Sequence, residues 1–202
     1  MSKTKQKILV ASLDLFNTYG MANVSQRRIT EQLQISPGNL TYHFKKKEDI
    51  ETALYFALVE EFDQLFATVL QTNIPIENIV QMMGQIFDIM KKYRFVFLDF
   101  AHLLRTHEVV ANHYRQLTEL RYQQFTFIFD YLIQGGFLRP AELPDEYGQF
   151  YLRMQILADF YLVNAEILRQ QTADTKSFEQ LFFYHIHPYL TKKGRKLLQQ
   201  YL

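Results

Sequence analysis

The chain has 202 residues, 48% of them hydrophobic and 15% aromatic, which is enough apolar material for one sizeable core or two small ones. Cysteine is absent, which excludes disulfides and any cysteine-based metal or redox site. The net charge is only +1, but residues 1 to 50 carry 8 Lys and Arg against 4 Asp and Glu, an excess typical either of a segment that binds a polyanion or of a solvated charged surface.

The N-terminal residues do not resemble an export signal, because Lys3 and Lys5 lead directly into an amphipathic segment. No apolar run approaches the roughly 20 residues that a membrane-spanning helix requires. The sequence therefore predicts a cytoplasmic protein without a membrane partner.

Two helices are predicted before residue 34. The first covers residues 4 to 19 and ends at Gly20, a residue suited to the end of a helix. The second covers about residues 26 to 33, and Ser25 is its expected cap, because a serine hydroxyl can accept a hydrogen bond from a backbone N–H that has no helical partner. Two arginines follow in the first turn, where positive charge opposes the helix dipole, and this indicates a compensating anion such as DNA phosphate.

The third helix has a strong start signal. Ser36 suits the cap position, and Pro37 suits the first helical position, where no N–H is needed. Leu40 and Phe44 lie four residues apart, so they share one face and can anchor the helix to a core. Two helices joined by a short turn, each with one buried face, form a helix-turn-helix, whose second helix enters the DNA major groove. The alternative from this stretch alone is an ordinary, well-capped short helix.

The rest of the chain is predicted to be helical. The lysines at 45 to 47 open a long fourth helix with an apolar stripe to about Gln71. Thr106 and Asp145 are the expected caps of the seventh and eighth helices. Five further helices and a short basic tail helix are predicted, at about residues 77 to 92, 95 to 105, 106 to 134, 145 to 170 and 175 to 187.

The N-terminal motifs have a specific spacing. It runs from Phe16-x-x-x-Gly20 through Ser36-x-Gly38-x-Leu40 to Phe44-x-x-Lys47-Glu48. On these motifs, about the first 55 residues resemble the DNA-binding domain of the TetR (tetracycline repressor) family of bacterial one-component regulators. The matching residues are Ile8, Ala11, Leu15, Phe16, Gly20, Ile29, Ser36, Gly38, Leu40, His43, Phe44, Lys47, Glu48 and Ile50.

The resemblance implies an all-α protein of about nine or ten helices. A three-helix helix-turn-helix domain at residues 1 to 50 would precede a helical effector-binding and dimerisation domain at residues 51 to 202. The implied function is a homodimeric transcriptional regulator that binds a palindromic operator in double-stranded DNA, needs no cofactor and is a repressor released by a ligand. The alternative is a DNA-bound scaffold that has no small-molecule effector and recruits a protein partner.

The residues expected to contact DNA lie at the starts of the second and fourth helices and along the third. Asn39 and its neighbours in the third helix are expected to meet base edges, and the flanking cationic and polar residues are expected mostly to meet phosphates. The full set is Ser25, Gln26, Arg27, Ser36, Pro37, Gly38, Asn39, Thr41, Tyr42, His43, Lys45, Lys46 and Lys47.

Two positions depart from the family pattern. Many members have Tyr where this chain has Thr41, at a position that helps to orient the recognition helix against a phosphate, so we expect Tyr42 to take over that contact or the contact to be lost. Many members also have Gly-Val in the turn, where this chain has Gln34-Ile35. Gln34 must therefore adopt a turn geometry that glycine would adopt more easily.

The fifth to seventh helices are rich in methionine and aromatic residues. In the family, the equivalent helices enclose an effector pocket, and an apolar lining of this kind suits a hydrophobic small molecule. The alternative is that these side chains only form the core. The residues expected to line the pocket are Met83, Phe87, Met90, Phe97, Phe100, Leu104, Tyr114, Tyr122 and Phe125.

The eighth and ninth helices carry more apolar residues than one stripe can hold. One face can pack on the chain's own core and the other on a second subunit, which predicts a two-fold dimer; the alternative is a deeply buried helix pair in a monomer. The residues expected at the dimer interface are Met154, Leu157, Tyr161, Phe178, Phe182 and Ile186.

The sequence gives little evidence for a catalytic site or a metal site. His185 and His187 would lie on opposite sides of a helix, so they are not expected to bind a metal together. One of His102, His107, His113, Arg115 and Arg121 could meet an anionic head group, with surface residues or satisfied core partners as the alternative. No nucleophile elbow, phosphate loop or paired carboxylates occur at a recognisable spacing, so an enzyme is not expected.

Overall fold

The computed structural model describes residues 2 to 70, 76 to 168 and 174 to 200. Within these ranges the chain forms eleven α-helices and two short 3₁₀ turns, which confirms the predicted all-α class and slightly exceeds the predicted helix count. None of these described helices is long and apolar enough to cross a membrane. The helices are α1 Lys3–Tyr19, α2 Gln26–Leu33, α3 Pro37–His43, α4 Lys47–Val69, α5 Ile76–Lys92, α6 Arg94–Leu98, α7 Phe100–Thr106, α8 Glu108–Gln134, α9 Glu146–Ile167, α10 Thr175–Ile186 and α11 Lys192–Leu198.

The chain is divided into two compact units. The first unit contains Met1–Glu61 and Met90–Tyr114, and the second contains Phe62–Ile89 and Arg115–Leu202. These units are defined by packing. The boundary expected after residue 50 instead separates the predicted DNA-binding domain from the predicted effector-binding and dimerisation domain. That functional boundary stays a prediction.

The core of the first unit is built around the apolar stripe of α1. Ile8 and Phe16 are buried on this stripe, Ile29 is buried on α2, and Leu40 is buried on α3. The ring of Phe16 lies 5.2 Å from the ring of Phe95 on α6. Burial of a side chain of this size stabilises a fold by about 1.5–3 kcal/mol, so these contacts hold the three short N-terminal helices together.

Asn17 joins the end of α1 to the start of α6. Its side-chain Nδ2 donates to the carbonyl of Lys92 at 2.8 Å, and its Oδ1 accepts from the backbone N–H of Phe95 at 3.1 Å. Its own carbonyl accepts from Nη1 of Arg94 at 3.1 Å. Asn17 therefore satisfies backbone groups at a helix boundary that have no partner within their own helices.

The second unit has a core rich in aromatic residues. The ring of Phe129 on α8 lies 5.3 Å from that of Phe150 on α9, edge to face, and Phe87 on α5 stacks on Phe178 of α10 at 5.2 Å. The buried members of the main cluster are Leu65, Phe66, Ile79, Met82, Met83, Phe125, Ile128, Phe129, Leu132, Leu138, Phe150, Tyr151 and Ile186.

The C-terminal helix α11 is fixed to the turn that follows α8. The backbone N–H of Thr191 donates to the carbonyl of Phe137 at 3.0 Å, and Lys193 Nζ donates to the carbonyl of Gly135 at 2.7 Å. An isolated antiparallel bridge pairs Leu138 with Leu190. A side chain at position 194 would collide with the Phe137 carbonyl, so glycine is required there for this close approach.

Two predicted helix boundaries were wrong. The single helix expected at residues 95 to 105 is divided into α6 and α7 at Asp99, whose φ and ψ of −107° and 19° are not helical. Thr106 ends α7 instead of capping α8, which begins at Glu108. No proline or glycine marks the break, and the apolar residues nearly encircle this segment, so its periodicity gives no stop signal.

Asp145 precedes α9 as predicted, but its carboxylate does not cap the helix backbone. Its backbone is left-handed, with φ of 53°, and its Oδ2 accepts from the side-chain Nε2 of Gln149 at 3.0 Å. The predicted helix ends at Gln71 and Gln170 lie outside the described residues.

Candidate nucleic-acid interface

Serine caps set the start of α2 and of α3. Oγ of Ser25 accepts from the backbone N–H of Arg28, and Oγ of Ser36 accepts from that of Asn39, each at 3.2 Å. Both predicted caps are therefore confirmed. Such a cap typically contributes about 1 kcal/mol, which matters for helices of only eight and seven residues.

Buried side chains anchor α3 on one face. Leu40 and Phe44 are buried in the first unit, as their four-residue spacing predicted. The carbonyl of Phe44 also accepts from Nε2 of Gln26 at 3.4 Å, which links the end of α3 to the first turn of α2. Gln26, expected at a phosphate, is half-buried in this position.

The opposite face of α3 is open to solvent. The exposed residues along it are Ser36, Pro37, Gly38, Asn39, Thr41 and Tyr42. Tyr42 is 84% exposed, and its ring meets only the edge of the neighbouring His43 ring, at 5.1 Å between centroids, among the described ring contacts. Since an aromatic side chain of this size usually contributes to a core, an outward-facing Tyr42 favours a binding role.

Gly38 has no role in packing within the described residues. A Cβ built at this position meets no other atom within 4 Å, and the φ angle is not positive. Glycine in a helix costs up to about 1 kcal/mol relative to alanine, so the chain gives up stability at a position where its own fold would accept a methyl group. The space above Gly38 is therefore available to an external group.

Thr41 is turned back onto its own helix. Its Oγ1 donates to the carbonyl of Pro37 at 2.9 Å, which is a common arrangement for a helical threonine. The hydroxyl proton of Thr41 is thereby used within α3, while the adjacent Tyr42 is 84% exposed. The expectation that Tyr42 replaces the missing tyrosine at position 41 remains a prediction.

The three lysines after α3 occupy different environments. Lys45 and Lys46 are exposed. Lys47 is 25% exposed, and its Nζ donates to the carbonyl of Met21 at 3.0 Å and lies 3.3 Å from Oε1 of Glu51. Lys47 thus connects α4 to the turn before α2, so a phosphate would have to compete with these groups for its ammonium.

The two arginines of α2 have partners within the chain. Nε of Arg27 donates to Oε1 of Glu31 at 2.8 Å, and this hydrogen bond, with the charge of Glu31, raises the pKa of Arg27. The guanidinium of Arg28 lies 3.5 Å from the ring centroid of Tyr19. Both side chains of the Arg27–Glu31 pair are exposed, and exposed pairs are weak, so Arg27 can move onto a phosphate at little cost.

Two family models match consecutive segments of the chain. A model described as bacterial regulatory proteins of the tetR family matches residues 8–54. A model described as a bacterial transcriptional repressor, TetR, matches residues 58–198, which is more than half of the chain. The chain belongs to the TetR family of bacterial transcriptional regulators. The resemblance predicted from the N-terminal motifs is therefore confirmed and extends through the C-terminal helices.

Solved structures of transcriptional regulators resemble this chain over nearly its full length. A TetR-family transcriptional regulator from Marinobacter aquaeolei VT8 is 28% identical, with a TM-score of 0.85 over 96% of this chain and 95% of that chain. A putative transcriptional regulator from Saccharomonospora viridis, in complex with choline, has 18% identity and a TM-score of 0.75 over 95% of this chain and 100% of that chain. A TetR regulator from Haloarcula marismortui has 16% identity and a TM-score of 0.71 over 95% and 100%. The last two likenesses concern the fold alone.

The nine residues predicted to line an effector pocket in this TetR-family regulator are distributed over both compact units. Met83, Phe87, Tyr122 and Phe125 belong to the second unit, and the other five belong to the first. Within the second unit, Met83 and Phe125 line an apolar cavity of about 60 Å³. Phe87 is instead stacked against Phe178, and Tyr122 lies at the surface. The nine-residue set stays a prediction.

The residues predicted at a dimer interface are also placed unequally. Phe178 and Ile186 are buried within the second unit, whereas Met154, Tyr161 and Phe182 are half-buried and Leu157 is exposed. The large apolar side chains that α9 and α10 expose include Leu152, Ile156, Leu157, Phe160, Ile167, Leu181 and Tyr184. The apolar excess on these helices was recognised from the sequence, but pattern alone did not distinguish the inner face from the outer one.

The candidate head-group residues His107 and Arg121 have partners inside their own units. Nε2 of His107 lies 2.8 Å from Oε2 of Glu51 in the first unit. In the second unit, Arg121 pairs with Asp63 and donates from Nη1 to Gln124 at 2.7 Å. These contacts fit the alternative of satisfied core partners. Glu51 was missed because its partner His107 lies 56 residues away in the sequence.

Proposed function

We propose that this TetR-family regulator is a repressor that binds a palindromic operator as a homodimer and leaves it when a hydrophobic ligand binds. The outward face of α3 supports the DNA-binding part most directly. This face combines a glycine with no packing role, an exposed Asn39 and an exposed Tyr42 on a helix that is capped and anchored from behind. A rigid helix with a small polar surface is what the major groove accommodates.

The proposed contacts divide into two classes. Asn39 can form two hydrogen bonds with an adenine edge, and Pro37 and Gly38 allow the helix N-terminus to approach the bases closely. Lys45 and Lys46 are exposed and would contact phosphates, as would Arg27 after leaving Glu31. Lys47 would act mainly by fixing the start of α4.

A homodimer is supported by apolar side chains at the surface of α9 and α10. Ile156 and Phe160 lie one turn apart on α9 and are 52% and 49% exposed. Exposed apolar side chains in this number typically mark a protein–protein interface. A two-fold interface would present two copies of α3 to two half-sites, which requires a palindromic operator.

Release by a ligand requires that the ligand bind one dimer geometry more tightly than the other. A regulator of the same fold from Saccharomonospora viridis binds choline in its crystal, which supports a small-molecule site in proteins of this architecture. The ligand of this chain is proposed to be hydrophobic because its helical body is rich in apolar side chains.

The test is selection of operators from a random duplex DNA library by the purified protein at near-physiological salt. An enriched inverted repeat with half-sites about one helical turn apart supports the proposal. A transcription assay with the selected repeat beside a promoter then measures the sign of regulation. Failure to enrich any sequence, or activation from the repeat, would contradict the proposed repressor.

The alternative of a scaffold without an effector rests on the size of one cavity in the described part of the second unit. The cavity of about 60 Å³ in the second unit is smaller than the roughly 300–1,000 Å³ typical of ligand pockets. A thermal-shift screen of hydrophobic compounds separates the two functions. A scaffold would show no compound that both raises the Tm and releases DNA.

A further inference from the structure

The cavity in the second unit has an unusual lining. Its walls come from α5, α8, α10 and α11 and from Phe137, Leu138 and Leu190 between them, and every lining residue is apolar apart from Gly194. A polar ligand group inside it would lose its hydrogen bonds to water without replacement, at a cost of several kcal/mol in an apolar medium. The cavity therefore accepts only hydrocarbon.

Its size limits the hydrocarbon further. About 60 Å³ is several times the space that one water molecule needs, but it is too small for a compact ring system together with a polar group. The cavity is partly open, and its half-buried lining residues include Val80 on α5, Phe137 after α8, and Leu197 on α11. The end of a single alkyl chain fits these limits, with the remainder of the molecule outside.

Positive charge lies at this rim. Nζ of Lys193 is 4.0 Å from the centroid of the Phe137 ring, which is itself part of the cavity wall. Helical geometry places Lys193 and Arg195 about 100° to either side of Gly194, so the two cations flank the face of α11 that lines the cavity. Lys192 and Lys196 project from the opposite face of the same helix. Among the described residues, neither Arg195 nor Lys196 pairs with a carboxylate.

We propose that this cavity binds the alkyl chain of a single-chain anionic amphiphile, whose negative head group lies at the rim beside Lys193 and Arg195. The observations that carry this inference are the wholly apolar wall and the cations of the helix that closes it. Binding itself is independent of the proposed function, whereas release of DNA by such a ligand rests on it.

The experiment measures binding of decanoate, decyl phosphate, decanol and decyltrimethylammonium to the full chain, each below its critical micelle concentration, by calorimetry without DNA. Both anions should bind more tightly than decanol, and decanol more tightly than the cation. Replacing both rim cations (K193Q with R195Q) should weaken anion binding by about tenfold and leave decanol binding unchanged, since glutamine at position 193 retains a donor for the Gly135 carbonyl that Lys193 contacts. The matched control, K192Q with K196Q, removes the same charge from the opposite face and should change anion binding by less than about twofold.

A cavity-filling variant tests the position of the alkyl chain. Val80→Phe should abolish binding of both decanoate and decanol, and Leu197→Phe provides a second variant if the first does not fold. Three results would overturn the proposal. The first is equal affinity for decanoate and decanol, and the second is an equal loss of anion affinity in the two charge variants. The third is full binding of decanoate to a folded cavity-filling variant. If decanoate binds at this site but does not release the selected operator, the proposed ligand-released mechanism fails while the site stands.

Discussion

Nε2 of His107 lies 2.8 Å from Oε2 of Glu51, and both side chains are almost completely buried in the first unit. The other carboxylate oxygen of Glu51 lies 3.3 Å from Nζ of Lys47, which donates in turn to the carbonyl of Met21. These contacts connect the residue between α7 and α8 to the start of α4 and to the turn before α2. The helix-turn-helix is thus held from behind by a continuous polar chain.

The imidazole of His107 has a partner at each ring nitrogen. The hydroxyl of Thr106 donates to the carbonyl of His102 at 2.8 Å, and Nδ1 of His107 lies 2.9 Å from the same hydroxyl oxygen. Nε2 faces Glu51, so the contacts on both sides fix the orientation of the ring.

Removing Glu51 should be costly. Glu51→Ala leaves Lys47 and His107 without their buried partner, and breaking such a pair typically lowers the free energy of unfolding by about 3 kcal/mol. Urea denaturation measures this loss. Glu48→Ala is the control, because Glu48 is exposed in the same helical turn and should change stability by less than about 0.5 kcal/mol. Equal effects of the two variants would show that the chain of contacts is not structural.

Gly38→Ala should separate folding from DNA binding. The added methyl group meets nothing within the described structure and restricts the unfolded chain, so stability should rise by about 0.5 kcal/mol. Affinity for the selected operator should fall by about tenfold, because the methyl group would occupy space that DNA fills. Gly136→Ala is the matched control: its φ of 70° makes alanine unfavourable, so stability should fall and DNA affinity should not change.

Asn39 and the exposed lysines should affect DNA binding differently. Asn39→Ala should relax the sequence preference at one position in each half-site, at a cost of about 1–3 kcal/mol for the preferred base. Lys45→Ala or Lys46→Ala should weaken binding to all sequences alike and reduce the salt slope by about one per half-site. Binding titrations at several salt concentrations distinguish the two patterns. Lys47→Ala should also lower the free energy of unfolding, since Lys47 holds Met21.

A charge on the exposed face of α9 should dissociate the homodimer. Phe160→Asp places a carboxylate on an apolar surface, which would remain buried and unpaired in a dimer. Sedimentation velocity should then show a monomer with weak operator binding. Leu143→Asp introduces the same charge at another exposed apolar residue, which lies before α9, and should leave the dimer intact. A dimer in the first variant would place the interface elsewhere.

Acidification should weaken the second unit through His185. Burial lowers the pKa of His185 below the ordinary value of 6.5, and the charge of Arg153 lowers it further. Nε2 of His185 is buried without a hydrogen-bond partner among the described residues, so the folded state favours the neutral ring. The unfolded chain then binds more protons between the two pKa values. Stability that is present above about pH 6.5 is therefore lost as the pH falls through that window.

The His185→Gln variant checks this pH dependence. Its free energy of unfolding, measured in urea at pH 7.5 and pH 5, should fall less on acidification than that of the natural chain. His187→Gln, which alters an exposed histidine two residues away, should retain the full dependence. If acidification lowers the free energy of unfolding equally in both variants, His185 is not the source of the pH dependence.

Local sequence signals predicted local structure well. Ser25 and Ser36 were recognised as caps because a cap depends on one side chain and the next three residues, and both form the expected hydrogen bonds. The buried pair Leu40 and Phe44 followed from helical spacing. The division of the helix at Asp99 was missed, because helical propensity and periodicity continue across it.

Contacts between residues that are distant in the sequence could not be predicted from sequence patterns. Lys47 appeared to be one of three equivalent lysines, and only the fold places the Met21 carbonyl beside its ammonium. Phe178 was assigned to a dimer surface because its helix has two apolar faces, but the fold directs it onto Phe87. Hydrophobic periodicity shows how many faces of a helix are apolar, but it does not show which neighbouring element each face packs against.

The turn before α3 is closed by backbone atoms. Gln34 adopts the left-handed conformation at φ of 53°, while the N–H of Ile35 donates to the carbonyl of Thr30 at 3.1 Å. The side chain at position 34 is exposed and contributes no hydrogen bond among the described contacts, so the orientation of the recognition helix does not depend on its identity. Asparagine or glycine at position 34 should therefore change the stability of the turn by about 1 kcal/mol and leave the exposed face of α3 as it is.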